Sequence, residues 1–264
     1  MATIPVLALV LCRAVQATLI DFNTPGDLNK YFVSDTGSWD YTETNGAGVG
    51  GSRAIVPDDA NGVVATFNNG GYAWAVGNVI SLDMDFYFNR NSQNNNSDTM
   101  LLGVVGDLGD GFGNPRARGE VISTNRSGNG RVRLRARVDN GVAASSNFFL
   151  TDDNWYRLEA KVMLESTTDV SVAVKLYDIG SDGTDTPTQV STEVTRSGKT
   201  ALASDNSVYS AFKARNDSGN DVMDNFESVL IPEPGTLVMA LTGMAVGIAA
   251  VLWRRRRRNL VRRS

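Results

Sequence analysis

The sequence of 264 residues contains no histidine, and its only cysteine is Cys12. The absence of histidine excludes Ser-His-Asp and Cys-His catalytic groups, histidine-ligated metal centres and the commonest general base near neutral pH. With a single cysteine the chain forms no internal disulfide, so its stability must come from a packed core. Carboxylate chemistry, which two acidic side chains can perform on a glycosidic bond, is the catalytic class left open.

Long apolar runs occur only near the two ends of the chain. Residues 4–11 are apolar but too few to cross a bilayer, and Ala14-Val15-Gln16-Ala17 then supplies small residues where a signal peptidase cleaves. We expect residues 1–17 to be a signal peptide that directs export through the Sec translocon and is removed by signal peptidase. The alternative is that this segment is a buried strand. The 19 uncharged residues 235–253 would form a helix of roughly 28 Å, which predicts one transmembrane helix.

Charge is divided unevenly along the chain. Arg254 to Arg258 are consecutive and Arg262 and Arg263 follow, and a basic cluster beside a membrane span stays cytoplasmic, which places the body outside. Residues 18–231 contain 17 basic and 28 acidic side chains, a formal charge of −11. Such an acidic body argues against binding of nucleic acid.

The body, residues 18–230, is predicted to be one all-β domain. Apolar residues alternate with polar ones between Ile80 and Asn89, which is typical of a strand with one buried face. About a dozen such segments require two packed antiparallel sheets, because one sheet would leave a face uncovered. Strands are predicted at 19–22, 39–43, 62–67, 80–88, 100–105, 118–123, 132–138, 155–164, 170–178, 189–195, 208–214 and 223–230. No helix is expected before the membrane span.

Two groups of carboxylates are candidates for chemistry. Asp83 and Asp85 share one face of a predicted strand, and the simpler interpretation is a solvated outer face of an antiparallel sheet. Asp178, Asp182 and Asp185 surround a glycine turn, as oxygen ligands of calcium would. This segment lacks the spacing of an EF-hand, and a hairpin loop rich in turn formers is the alternative. Weaker pairs of aspartates occur at 107 and 110 and at 217 and 221.

Arginines alternate along one predicted strand at 131, 133, 135 and 137, and further arginines precede them at 116, 118 and 126. Arg131, Arg133, Arg135 and Arg137 therefore project from one face, and Glu120 is the only acid between residues 116 and 137. The row is a candidate site for an anionic partner such as an acidic polysaccharide. The alternative is cross-strand pairing with the acidic residues of the domain.

Aromatic residues could hold a sugar ring by stacking. The candidates are Trp39, Tyr41, Tyr72 and Trp74, and each is two residues from the next in its pair. The same spacing is also expected of side chains that fill the core of a sandwich.

Residues 231–264 contain, in order, Ile231-Pro232-Glu233-Pro234, the apolar span and the arginine cluster. Two prolines in three residues form an extended joint that a protease could reach. The arrangement resembles the PEP-CTERM sorting signal of Gram-negative bacteria, with motif 231–236, transmembrane helix 235–253 and basic tail 254–264. The resemblance implies that an exosortase reads Pro232, Glu233 and Pro234, removes the anchor and releases or transfers the body. The family tends to occur in organisms that make extracellular polysaccharide and biofilms.

The body resembles concanavalin A-like, laminin-G-like jelly rolls. The resemblance rests on Asp21-Phe22 and Leu28 near the first strand, Asn154-Trp155-Tyr156 at the start of a long strand and Asp224-Asn225-Phe226 in the last strand. Such folds include both sugar binders and glucanases. The Glu-x-Asp-x-x-Glu strand of laminarinase-type glucanases is absent from this sequence, which favours a binder.

The sequence therefore predicts an exported, non-catalytic surface or matrix protein. Its precursor would sit in the inner membrane of a Gram-negative bacterium and reach the cell surface or extracellular matrix after processing, in association with exopolysaccharide. No cofactor is expected apart from the calcium candidate. Two alternatives remain: a glycan-active hydrolase that uses carboxylates, and a type I membrane protein that stays anchored.

Overall fold

The computed structural model describes residues 16–39, 41–57, 63–89, 98–113, 116–124, 131–214 and 222–232. Most of the predicted signal peptide, the sorting motif beyond Pro232, the predicted membrane helix and the basic tail lie outside these ranges. Within the ranges no helix is both long and apolar enough to cross a membrane.

The described body is built almost entirely of strands. They are β1 (Gln16–Ile20), β2 (Phe32–Ser34), β3 (Tyr41–Thr44), β4 (Ala54–Pro57), β5 (Ala65–Phe67), β6 (Tyr72–Ala73), β7 (Val79–Phe88), β8 (Asp98–Val105), β9 (Ala117–Ser123), β10 (Arg131–Val138), β11 (Gly141–Ala144), β12 (Phe148–Phe149), β13 (Asn154–Leu164), β14 (Asp169–Asp178), β15 (Thr188–Gln189), β16 (Val194–Lys199), β17 (Ser207–Ala214) and β18 (Val222–Ile231). One short helix, α1 (Asp27–Tyr31), and 3-10 turns at Val49–Gly51 and Ala201–Ser204 join them.

The strands form two antiparallel sheets. The first has the order β15-β14-β13-β7-β18-β4-β3, with β1 also beside β18 and β16 beside β14. The second has the order β11-β10-β9-β8-β17-β5-β2, with β12 also beside β10 and β6 beside β17. Strands β9 and β10 face β14 across the interior. The prediction of a two-sheet antiparallel sandwich is confirmed.

Apolar side chains from alternate positions of both sheets fill the interior. The inner face of β7 shows the pattern, because its five apolar residues at even positions from 80 to 88 are all buried. Phenylalanine rings from both sheets pack together at one end of the core, with Phe32 in contact with Phe212 and Phe226 at centroid distances of 5.1 and 5.2 Å. A cysteine-free body thus obtains its stability from apolar burial.

The structure differs from the sequence prediction mainly in its short elements, because β2, β4, β6, β11 and β12 were not expected. The single strand expected at 189–195 is divided into β15 and β16, because β14 pairs with β15 at one end and with β16 along the rest of its edge. The helix α1 was not expected, since five residues are too few to show a helical period. The carboxylate of Glu43 stabilises its start by accepting the backbone N–H groups of Gly26 and Leu28 at 2.6 and 2.8 Å.

Candidate functional site

The arginines of β10 form a row on the outer face of the second sheet. Their neighbours at even positions, 132 to 138, are buried in the core. Because consecutive side chains of a strand point to opposite faces, Arg131, Arg133, Arg135 and Arg137 all point outward. Arg131 is exposed and the other three are partly buried.

Glu120, on the neighbouring strand β9, lies at the centre of this face and directly opposite Arg135. Its side chain is fully buried. Its Oε1 accepts a hydrogen bond from Arg118 Nε at 2.7 Å and lies 2.9 Å from Arg137 Nε. Its Oε2 lies 2.6 Å from Arg135 Nε. The cross-strand pairing considered from the sequence is therefore present. One carboxylate, however, serves three guanidinium groups.

The face keeps a large positive charge despite this pairing. Strands β9 and β10 together carry five arginines, Arg118 and the four of β10, and one acidic side chain, Glu120, which gives these two strands a formal charge of +4. Beside them, burial together with repulsion from Arg118 and Arg137 lowers the pKa of Arg116 from its usual value. Arg116 and Arg118 both donate to the carbonyl oxygen of Phe112, at 3.0 and 2.8 Å, which holds the preceding loop against the face. Arg126 lies outside the described residues.

Two arginines at the start of β10 do not contact Glu120. Oriented with its amide oxygen towards Arg131, Asn147 accepts hydrogen bonds from Nη2 and Nε at 2.9 and 3.1 Å. Arg133 Nε is buried and donates to no acceptor within the described ranges. A guanidinium carries five N–H donors, so Arg133 can bind an anionic group that reaches the sheet.

The calcium candidate does not gain support from the geometry. Asp178 Oδ1 accepts hydrogen bonds from Asn154 Nδ2 at 2.8 Å and from the backbone N–H of Gly180 at 2.9 Å. Asp182 Oδ1 accepts a hydrogen bond from the Thr184 hydroxyl at 2.8 Å. These are the hydrogen bonds of a turn, with Gly180 at a φ of 86°. Among the described residues, which include Asp185, no three acidic or cysteine side chains are grouped to hold a metal ion. The arrangement fits the hairpin-loop alternative.

The interpretation of Asp83 and Asp85 as a solvated face is wrong for Asp85, which is fully buried. Arg157 on β13 donates to its two oxygens at 2.6 and 2.9 Å, and Asn225 donates to Oδ2 at 2.9 Å. Asn225 reaches Asp85 from a bulge in β18, where its φ is 51°. These long neighbouring side chains cover Asp85, which strand alternation alone does not reveal.

Asp83 lies between two further carboxylates on the outer face of the first sheet. It pairs in register with Glu159 on β13 and with Glu227 on β18. Burial raises the pKa of Asp83 to about 7, helped by repulsion from Glu159 and Glu227 and opposed by Arg157. The outer face of the first sheet thus holds a group of three carboxylates, with Arg157, Lys161 and Lys175 close by.

The four aromatic candidates serve the core and are not exposed for stacking. Tyr41, Tyr72 and Trp74 are at most 8% exposed, and Trp39 packs against the core while its Nε1 donates to Asn29 at 2.5 Å. Tyr72 donates to Ser228 Oγ at 2.7 Å within the interior. The exposed aromatic of the arginine face is Phe149, which the sequence reasoning missed.

The sorting motif begins where the last strand ends. Strand β18 stops at Ile231, and Pro232 follows, a residue without the N–H that a strand would need. Glu233 and Pro234 lie outside the described residues. Strand β1 runs beside this end, with Gln16 opposite Leu230, so the predicted signal-peptide cleavage after Ala17 falls within β1.

Comparison of the sequence with protein-family profiles gives no match, and no curated protein is significantly similar to it. Solved structures are similar in fold. Peanut lectin is 13% identical, with a TM-score of 0.50 over 82% of this chain and 99% of its own. Lectin I-B4 from Griffonia simplicifolia is 9% identical, with a TM-score of 0.51 over 81% and 99%.

The lectin UEA-II, complexed with galactose, is 8% identical with a TM-score of 0.50 over 81% of this chain and 98% of its own. Identities this low relate the chains by fold and not by function. The body of this protein is a two-sheet antiparallel sandwich with a lectin-like jelly-roll fold.

Proposed function

We propose that this protein is an exported, non-catalytic carbohydrate-binding protein that holds an acidic polysaccharide on the outer face of its second sheet. The observation that carries the proposal is the arginine face, where strands β9 and β10 together carry five arginines and one glutamate in a body of charge −11. Guanidinium groups bind carboxylates and sulfates through paired, charge-assisted hydrogen bonds. The lectin-like fold agrees with a sugar-binding role, as in the lectin complexed with galactose.

The ends of the chain support a proposal for its location. The order of motif, apolar span and basic tail agrees with a precursor held in the inner membrane, which an exosortase processes at Pro232-Glu233-Pro234. The body would then reach the cell surface or extracellular matrix and associate there with exopolysaccharide. Binding through the arginine face would keep it in that matrix.

The test of binding uses the double variant Arg131→Gln/Arg133→Gln. These side chains do not contact Glu120, whereas replacing Arg135 or Arg137 would remove a partner from a buried carboxylate and mix folding with binding. Retention of this variant on immobilised polyuronate should be lower than that of the unchanged protein, and it should fall further as the salt concentration is raised.

The matched control is Lys161→Gln/Lys199→Gln, which makes the same change in charge on strands of the first sheet. Retention of this control should stay close to that of the unchanged protein. Equal retention of the arginine variant, the lysine variant and the unchanged protein would refute the proposal.

Processing is tested by mass spectrometry of the mature surface form. A mature chain that ends near Pro232-Glu233-Pro234 and lacks the basic tail agrees with exosortase cleavage. An intact tail from Arg254 to Ser264 would instead identify a type I membrane protein that stays anchored.

A glycan-active hydrolase is the second candidate, and the carboxylates of the first sheet are the observation that favours it. A protonated Asp83 beside Glu159 or Glu227 resembles the acid and base pair of glycoside hydrolysis. A screen of polysaccharides that yields no shortened product would exclude this candidate. A product that persists in Asp83→Asn would exclude Asp83 as its acid.

A further inference from the structure

An apolar rim runs beside the arginine row on the second sheet. Strands β11 and β12 both pair with β10, and their residues Val142, Ala144 and Phe149 lie directly opposite Arg137, Arg135 and Arg131, respectively. Residues that are directly opposite in an antiparallel pair point to the same face. The outer face therefore has a charged row and an uncharged row side by side.

Phe149 is unusual in its exposure. It is 67% exposed, more than any other large apolar side chain in the described ranges, whereas Phe148 before it packs against the core. Val142 on the same rim is 41% exposed. Burial of a phenylalanine is favourable, so a ligand that covered this ring while contacting the cationic row would gain affinity from it.

The spacing of the two rows fits a ligand that is both anionic and ring-bearing. Alternate residues of a strand are about 6.8 Å apart, and neighbouring strands are about 4.8 Å apart. A ligand along β10 could thus place an anionic group on an arginine and an apolar ring face on the rim. A pyranose uronic acid has both features, because its carboxylate projects from a ring whose C–H groups form an apolar face.

We propose that Phe149 and Arg131 form a subsite for one uronate unit of a linear polysaccharide, with Arg133 holding the carboxylate of the next unit. Arg131 lies opposite Phe149 in register, so a carboxylate on its guanidinium brings the sugar ring over the phenyl ring. Arg133 lies one step along the same row, and its partly exposed side chain points to the same face. This inference rests on the proposed function and names the ligand class of its site.

Affinity of the full-length protein for three polyanions would test the subsite. Polygalacturonate offers carboxylates on pyranose rings, polyglutamate offers carboxylates without sugar rings, and single-stranded DNA offers phosphates with stacking bases. Phe149→Ala should weaken binding of polygalacturonate about fivefold to tenfold and leave polyglutamate unchanged. Phe149→Tyr keeps a ring and should keep the affinity.

Val142→Ala is the control, because it removes apolar surface from the same rim without removing a ring, and it should change affinity less than twofold. Thermal unfolding of every variant checks the fold, which an exposed position should not disturb.

The outcomes separate the subsite from the proposed function. If Phe149→Ala binds polygalacturonate as well as the unchanged protein does, while Arg131→Gln/Arg133→Gln loses binding, the subsite is refuted and the arginine face stands. Equal losses on polygalacturonate and polyglutamate would also refute ring stacking, and a preference for single-stranded DNA would refute the uronate ligand. If the unchanged protein binds no polyuronate, or the arginine variant binds equally well, the proposed function fails and the subsite with it.

Discussion

Replacement of Asp83 by asparagine should stabilise the protein at neutral and higher pH. Asp83 lies between Glu159 and Glu227 on three adjacent strands, and burial is the largest cause of its raised pKa of about 7. Asparagine has nearly the same shape and carries no charge. The variant thus removes the cost of ionising this position and leaves the strand in place.

The expected size follows from the shift in pKa. The pKa of Asp83 rises from the usual 3.8 to about 7, and each pKa unit corresponds to about 1.4 kcal/mol. Ionised Asp83 therefore costs the folded state at most about 4 kcal/mol. Because Asp83 is partly exposed, solvent screening reduces this cost to about 2 kcal/mol. The folded state binds the proton more tightly than the unfolded chain, so stability is lost as pH rises from about 4 to about 7.

Urea unfolding, followed by tryptophan fluorescence, measures the effect between pH 4 and pH 8. The free energy of unfolding of Asp83→Asn minus that of the unchanged protein should be near zero at pH 4, rise with pH and become constant above pH 7. Asp110→Asn, at an exposed aspartate, should differ by less than about 0.5 kcal/mol throughout. A difference for Asp83→Asn that is independent of pH would refute the reasoning.

Three further substitutions test the packing around the two outer faces. Glu120→Gln should lower the free energy of unfolding by about 3 to 5 kcal/mol, because it removes the charge of the carboxylate that three largely buried guanidinium groups share; urea unfolding checks this. Asp85→Asn removes the charge that Arg157 binds and should cost about 2 kcal/mol in the same assay. Gly119→Ala should lower stability by about 1 to 3 kcal/mol, seen as a lower Tm, because its Cβ would lie 2.9 Å from both methyl groups of Val174 across the core.

Alternation in the sequence predicts the long strands well. Strands β7, β13, β14 and β18 start and end within one or two residues of their predicted bounds, because each buries one face and so alternates over many residues. Short elements gave no comparable signal. Strand β4 has four residues and β12 has two, so neither is long enough to show a period.

Alternation also predicts which arginines share a face, but not what surrounds them. The position of Glu120 opposite Arg135 depends on the register between β9 and β10, which no local pattern specifies. Phe149 could have been noticed, because two consecutive phenylalanines in an extended strand cannot both face the core. The burial of Asp85 could not have been predicted from the sequence, since it depends on Arg157 and on Asn225 in a distant bulge.

The net negative charge of the body predicts that a polyanionic ligand is repelled, and the fold explains why this expectation is misleading. The carboxylates Asp83, Glu159 and Glu227 face outward from the first sheet, whereas the arginine face lies on the opposite side of the sandwich. The sheets are about 10 Å apart, and the Debye length is about 8 Å at physiological ionic strength. Through the surrounding solvent, the exposed charges of the two outer faces are therefore largely screened from each other. A polyanion that approaches the second sheet therefore meets the arginines of β9 and β10 first, whatever the net charge of the whole body.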